Sequence, residues 1–106
     1  NEEIIVFQSK TVETPNKTIG DTSLKEFAGT LNQLSTVENI EIIENGSANE
    51  RLKKLVFDLD LKNKVANGFI VKGIFITNAL ADRNAIEYLS SNESIKLFDK
   101  EKIAEV

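Results

Sequence analysis

The sequence predicts an α/β fold, a fragment of a three-layer sandwich with a mixed, mostly parallel sheet flanked by helices. Three observations predict it. The apolar run over residues 69–77 is nearly continuous and rich in β-branched residues, as expected of a central strand buried on both faces. Amphipathic helical stretches precede and follow that run along the chain. Shorter apolar runs near residue 4 and residue 95 supply further strands, which gives the order β-α-(α)-α-β-α-β-α.

The first third of the chain predicts one strand and one helix. Residues 4–7 (IIVF) are apolar and β-branched or aromatic, and the strand that they begin ends in Gln8-Ser9-Lys10. A polar loop with the only proline follows. Apolar residues then recur at helical spacing, so we expect a helix from about residue 23 to residue 34 that packs on the sheet. Ser23 and Glu26 have the spacing of a capping box at its start.

The middle of the chain predicts a second helical region. Residues 36–44 fit a short helix or an extended segment, and their periodicity favours neither. Asn45-Gly46-Ser47 is a clear break, and Ser47 with Glu50 resembles another capping box. One helix is expected from there to about residue 66, where Asn67-Gly68 supplies a stop.

The last third predicts the central strand, a helix, a short strand and a terminal helical turn. Gly73, inside the strand over residues 69–77, predicts a bulge or a close approach of the backbone. A helix is expected over residues 82–89, a strand over 94–98, and a turn from Asp99 to the last residue. The residues of the 82–89 helix that should face inward are Ala85, Ile86 and Leu89.

The composition limits the functions that these residues can perform. With 106 residues and a formal charge of -4, the chain fits one domain over residues 1–106 that is not strongly basic. It has no cysteine and no histidine, which excludes disulfides, thiolate metal sites, histidine triads and zincins within these residues. No apolar stretch reaches the roughly 20 residues that cross a bilayer, so we expect a cytoplasmic protein without a membrane partner.

The end of the first strand carries the strongest candidate for chemistry. Side chains alternate along a strand, so Gln8 and Lys10 project from the same side. An amide oxygen beside an ammonium group on a rigid strand is half of the site in many metal-dependent nucleases. The alternative interpretation is a polar strand end that faces solvent.

The order of elements around this pair resembles the restriction-endonuclease-like, PD-(D/E)xK nuclease core. It is most similar to the N-terminal domain of AIPR-type abortive phage infection proteins. The residues that carry the resemblance are Gln8, Lys10, Gly73, Phe75, Thr77, Asn78 and Asp99. The resemblance implies metal-dependent phosphodiester hydrolysis with Mg²⁺ or Mn²⁺, with DNA favoured over RNA as the substrate. Gln8 would be the residue beside the metal, and Lys10 would position the attacking water or stabilise the phosphate charge.

One part of the family pattern is absent from these residues. The metal-binding Asp of the family lies on the strand before Gln8, and Glu2 and Glu3 are too close in sequence to take its place. The chain would then be a nuclease core that lacks its first strands, an interpretation that the missing Met at position 1 and the small number of strands favour. We expect this fragment alone to bind metal poorly, to cleave nothing, and to dimerise through its exposed first strand.

Other polar residues have competing interpretations. Five basic residues of the second helical region either contact a phosphate backbone or form a solvated helix face: Arg51, Lys53, Lys54, Lys62 and Lys64. Thr77-Asn78 follows a buried strand, where it contacts substrate or makes a turn. Asp58 and Asp60 diverge on a helix and receive no catalytic role. Tyr88 is expected to pack on its helix with the hydroxyl at the surface.

Two functions outside catalysis also fit these residues. The chain is either a non-catalytic α/β module for interaction or assembly, or a degenerate nuclease fold that keeps nucleic-acid binding. An Asp at the end of a strand encoded just upstream of Asn1 would favour the nuclease over the module, whereas DNA binding without cleavage by the intact protein would favour the degenerate fold.

Overall fold

The computed structural model describes residues 2–13, 17–46 and 50–100 and confirms the α/β class, with helices flanking a mostly parallel sheet. It is consistent with a fragment of a three-layer sandwich. The strands are β1 (Glu3–Lys10), β2 (Thr18–Ile19), β3 (Ile70–Thr77), β4 (Leu80–Ala81) and β5 (Ile95–Phe98). The helices are α1 (Asp21–Gln33), α2 (Val37–Asn45), α3 (Glu50–Asp58), α4 (Leu61–Ala66) and α5 (Arg83–Ser90).

The main sheet has the strand order β1-β3-β5, and both of its pairings are parallel. The central strand is therefore β3, and β1 is an edge strand with one neighbour among the described residues. The register sets Gln8 opposite Phe75 and Lys10 opposite Thr77. A separate parallel pair, β2 with β4, was not predicted, because strands of two residues carry no periodic signal.

The prediction that the central strand is buried on both faces is wrong. Burial along β3 alternates, with Val71, Gly73, Phe75 and Thr77 buried and the residues between them only partly covered. Helix α1 packs against β3. On the opposite face of the sheet Phe7 is 64% exposed. A run in which nearly every residue is apolar has the same pattern whether one face or both are covered.

At Gly73 the backbone of β3 lies close to the side chains of α1, and the strand has no bulge there. The register of β3 with β1 runs through it without an extra residue, and the pairing of β3 with β5 begins at it. A Cβ atom at this position would lie 2.5 Å from Phe27 Cε2 and 2.7 Å from Leu31 Cδ1. Both side chains belong to α1 and are buried, so the absence of a side chain at Gly73 lets the helix sit directly on the sheet.

The first two helices begin differently from each other. Helix α1 starts at Asp21 after Gly20, without a side-chain cap, so the predicted capping box of Ser23 with Glu26 does not form. The ambiguous segment over residues 36–44 is the helix α2. Its N-cap is Thr36, whose Oγ1 accepts a hydrogen bond from the backbone N–H of Asn39 at 3.2 Å.

The single helix predicted up to residue 66 is in fact two helices, α3 and α4. They are separated at Asp60, whose backbone is left-handed with φ of 50°. Asp tolerates this conformation better than most residues, and no periodic pattern indicates it in advance. The predicted capping residue Ser47 lies outside the described residues. Gly68 follows α4 with φ of 93°, so the predicted stop at this position is confirmed.

Helix α5 is capped by Asp82, whose Oδ1 accepts from the backbone N–H of Ala85 at 2.9 Å. Ala85 and Leu89 face the core, but Ile86 is 58% exposed, so its predicted inward position is wrong. Tyr88 is partly buried on this helix, and its hydroxyl accepts a hydrogen bond from Asn92 Nδ2 at 3.0 Å. Of the predicted terminal turn, residues 101–106 lie outside the described residues.

Helices α2, α3 and α4 contact one another, and α1 contacts both α2 and α5. One apolar core joins these helices to the sheet. Its buried members are Ile19, Leu24, Phe27, Leu31, Leu34, Ile40, Ile43, Val56, Leu61, Val71, Phe75, Ala79, Ala85 and Ile95. Within the described ranges, none of the helices combines the length and the apolar character that a membrane crossing requires.

Candidate functional site

The candidate pair lies at the carboxyl end of β1. Gln8 and Lys10 are opposite Phe75 and Thr77, both of which are buried. Since opposite residues of neighbouring strands point to the same face, the pair lies on the side of the sheet that α1 covers. Both side chains are exposed because β1 is an edge strand. Ligands of parallel α/β sheets bind at this end of the strands.

The Lys10 side chain is tied to the first turn of α1. Its Nζ donates a hydrogen bond to Ser23 Oγ at 2.8 Å. The hydroxyl that the sequence suggested for helix capping therefore orients the ammonium group instead. The two residues are 13 positions apart and belong to different elements, so no spacing rule indicated their contact.

The loop that follows Lys10 is held by Asn78. The amide Oδ1 of Asn78 accepts from the backbone N–H of Val12 at 2.9 Å, and its Nδ2 donates to the Val12 carbonyl at 3.0 Å. Thr77 is only 2% exposed, and its Oγ1 accepts from the backbone N–H of Ala79. Of the two interpretations of Thr77-Asn78, these contacts favour the structural one, because the polar groups are bonded to the chain itself.

The acidic residues of β1 lie at the other end of the strand. Glu3 is five residues before Gln8, which corresponds to roughly 16 Å along a strand. Its Oε2 is 2.7 Å from Lys72 Nζ, and the hydrogen bond and charge of Lys72 hold the pKa of Glu3 below the ordinary carboxyl value. Glu2 is exposed beside it. Neither carboxylate reaches Gln8, in agreement with the interpretation of a solvated strand entry.

The described residues do not make a complete site for Mg²⁺ or Mn²⁺. Within residues 2–13, 17–46 and 50–100, no group of three Asp, Glu, His or Cys side chains is arranged to hold a metal ion. Gln8 offers one amide oxygen, and the nearest charged group on its own face of the strand is the Lys10 ammonium, which repels cations. The donor set on β1 therefore does not fit the metal that the resemblance implies.

The basic residues of the second helical region are partly paired. Lys62 Nζ lies 3.3 Å from Glu44 Oε1 and 3.7 Å from Glu41 Oε2, and it links α4 to α2. The hydrogen bond to Glu44 and the two negative charges raise the pKa of Lys62. Lys53 Nζ lies 3.9 Å from Glu50 Oε1. These contacts favour a solvated, charge-balanced helix surface over a phosphate-binding patch, for which Arg51, Lys54 and Lys64 are the other candidates.

The remaining acidic candidates do not form a pair. Asp58 is the last residue of α3, and Asp60 lies in the break after it, where its Oδ2 accepts from Asn63 Nδ2 at 3.3 Å. Both are exposed. A cavity of about 380 Å³ lies between α5 and β5, lined by Ile86, Leu89 and Phe98 among others. Of the residues that carry the family resemblance, Asp99 lines it, whereas Gln8 and Lys10 do not.

Comparison with models of protein families, with curated proteins and with solved structures found no match to this chain.

Proposed function

We propose that the chain is part of the core of a metal-dependent nuclease of the restriction-endonuclease-like type, similar to that of AIPR-type phage-defence proteins. One observation carries the proposal: Gln8 and Lys10 stand together, exposed, on the helix-bearing face at the carboxyl end of a parallel edge strand. The substrate is a phosphodiester, with DNA favoured over RNA. A defence nuclease of this kind acts in the cytoplasm, where phage DNA is present.

In this function Lys10 stabilises negative charge on a phosphate oxygen. Its ammonium group is a compact charge with three donors, of which one is directed to Ser23 Oγ and the others remain for a substrate. Gln8 lies two residues earlier on the same face and directs its amide oxygen toward the same substrate. The acidic residues that would hold the metal are not beside this pair, so the proposal assigns them to a further segment that joins β1.

The test is a comparison of cleavage by two lengths of chain. The 106-residue chain, incubated with plasmid DNA and Mg²⁺ or Mn²⁺, should cleave nothing, because the described residues hold no complete metal site. A chain extended by the residues encoded upstream of Asn1 should cleave, provided that an Asp closes a strand there. Lys10→Ala should lower the cleavage rate of the longer chain by about 100-fold or more, the scale of losing one charge-stabilising donor.

Lys17→Ala is the matched control, since it removes another exposed lysine of the described residues without touching β1. Its rate should equal that of the unaltered chain. Metal-dependent cleavage by the longer chain that persists in Lys10→Ala refutes the assigned role. Cleavage by the 106-residue chain alone refutes the proposal that the metal-binding acidic residues lie on a further segment.

A second candidate is a non-catalytic interaction module, which the exposed sheet face favours. On that face Ile5 is 40% exposed, Phe7 64% and Phe98 39%. The outer edge of β1 has no strand beside it among the described residues, and it begins with acidic residues and ends with Lys10. Antiparallel pairing of two copies along this edge would bring opposite charges together, so a homodimer is the favoured form of this module.

The two candidates differ in what lies next to β1, which is a further segment in the nuclease and a second copy in the module. The 106-residue chain exposes the edge of β1 in both cases, so sedimentation velocity of the chain extended by the residues encoded upstream of Asn1 distinguishes them. A dimer that dissociates in Phe7→Lys, which adds a charge to the exposed face of the edge strand, supports the module. A monomer at millimolar concentration contradicts it.

A further inference from the structure

We propose that Asn78 is the positioning residue for Lys10, an inference that rests on the proposed nuclease function. The amide of Asn78 holds the chain two residues beyond Lys10 through both polar groups of Val12. Asn78 belongs to the turn after β3, and Val12 is 66 residues away in the sequence. The contact therefore ties the end of the edge strand to the end of the central strand.

The side-chain amide of Asn78 bonds to Val12 in the way that a backbone peptide group of a neighbouring strand would. Lys10 opposite Thr77 is the last backbone pair of β1 with β3. Beyond that pair, the planar amide of Asn78 gives Val12 one acceptor at 2.9 Å and one donor at 3.0 Å. These are the same two bonds that a continued strand would provide, so the side chain extends the ladder by one further step.

An edge strand depends on such an extension more than a central strand does. The backbone of β1 is bonded to β3 alone among the described strands, and strand ends open most easily. When both hydrogen bonds between Asn78 and Val12 are formed, the backbone of Lys10 is held on each side, by the pairing with Thr77 and by the bonds at Val12. Its backbone then remains where Nζ reaches Ser23 Oγ at 2.8 Å.

Asparagine is the residue that this position requires. An aspartate has the same shape, but its ionised carboxylate has no donor and would face the Val12 carbonyl oxygen. An alanine provides neither bond. Asn78 itself is exposed, so replacing it opens no cavity in the core.

The first test uses NMR on the 106-residue chain with Asn78→Ala and Asn78→Asp. Asn78→Ala removes the acceptor of the Val12 N–H and should speed exchange of that amide by roughly 5- to 30-fold. Asn78→Asp keeps that acceptor but loses the bond to the Val12 carbonyl and repels it, so exchange should speed by a smaller factor. The contact between the Lys10 side chain and Ser23 should weaken in the same variants. Asn84→Asp, which adds a charge to an exposed position of α5, is the matched control and should change neither signal.

The effects of Asn78→Asp on Val12 and Lys10 should be reversible by lowering the pH. Below a pH of about 4 its carboxyl group is protonated and regains one donor beside one acceptor. Protection of Val12 and the Lys10 contact should return in Asn78→Asp at low pH and not in Asn78→Ala. The pH dependence of Asn78→Asp tests whether Asn78 positions Lys10 even where the alanine variant folds poorly. A Lys10 contact that is unchanged while Val12 exchanges faster overturns the inference.

The second test uses a chain that cleaves DNA. There Asn78→Asp should lower kcat by roughly 5- to 30-fold and leave KM unchanged, because the substrate does not touch Asn78. An unchanged kcat in a cleaving protein overturns the positioning role alone. Failure of every extended chain to cleave overturns the proposed function, whereas the NMR result still decides whether Asn78 positions Lys10.

Discussion

Replacement of Gly73 by alanine should destabilise this protein, because the added methyl group has no room between the sheet and α1. The new Cβ would lie 2.5 Å from Phe27 Cε2, 2.6 Å from Phe27 Cζ and 2.7 Å from Leu31 Cδ1. Carbon atoms in contact are normally about 3.5–4.0 Å apart, so α1 has to move away from the sheet by on the order of 1 Å. Phe27 and Leu31 are buried and cannot turn toward solvent.

The magnitude follows from what that movement disturbs. Phe27 also packs against Phe75, with ring centroids 5.8 Å apart, so a shift of α1 loosens the centre of the core. Overpacking of a close-packed core costs about 1–3 kcal/mol, and three simultaneous clashes place Gly73→Ala at the upper end. In a chain of this size about 3 kcal/mol corresponds to a loss on the order of 12 °C in melting temperature.

The assay is thermal and urea unfolding followed by circular dichroism, with Gly29→Ala as the matched control. Gly29 lies in α1, and a Cβ there meets nothing within 4 Å. That variant should gain about 1 kcal/mol because alanine favours the helix. Phe27→Leu should offset part of the loss when it is combined with Gly73→Ala, because it frees space at the clash. A Gly73→Ala protein as stable as the unaltered chain refutes this account of the packing.

Two further predictions concern the ends of elements. The pKa of Glu3 is lowered by the hydrogen bond and charge of Lys72, so this pair stabilises the fold above the ordinary carboxyl value of 4.5, and the contribution is lost as the pH falls below it. Melting curves of Glu3→Gln and of the unaltered chain should therefore differ at pH 7 and converge progressively as the pH is lowered below 4.5; a constant difference would contradict this. Asp82→Ala removes the acceptor for the Ala85 N–H and should cost about 1 kcal/mol in urea unfolding, whereas Asp82→Asn, which keeps an acceptor, should cost less than half of that.

Local patterns predicted most of the elements because their signals lie within a few residues. The helix near residues 23–34 and the strand near residues 69–77 follow from the spacing of apolar side chains, and both are present within two residues of the predicted bounds. The break at Asp60 was missed, since a single left-handed residue leaves the apolar stripe intact. The stop at Gly68 was found because glycine has a specific preference for that backbone conformation.

The candidate site was predictable in part. The alternation of side chains along a strand places Gln8 and Lys10 on one face, and the register confirms that placement. Their surroundings were not predictable. Ser23 and Asn78 lie far from the end of β1 in the sequence, and the tertiary fold brings them next to it. Residue spacing along the sequence does not indicate such long-range contacts.

The sequence by itself determined the class of fold, the order of most of its longer elements and the polar pair at the end of the first strand. These depend on side-chain periodicity and backbone preference, which act over one or two turns of chain. Only the tertiary structure decided that β3 is buried on one face, that α1 packs against Gly73, and that Asn78 is hydrogen-bonded to Val12 beyond Lys10. Those features depend on which distant segments meet, and that is set by the packing of the whole chain.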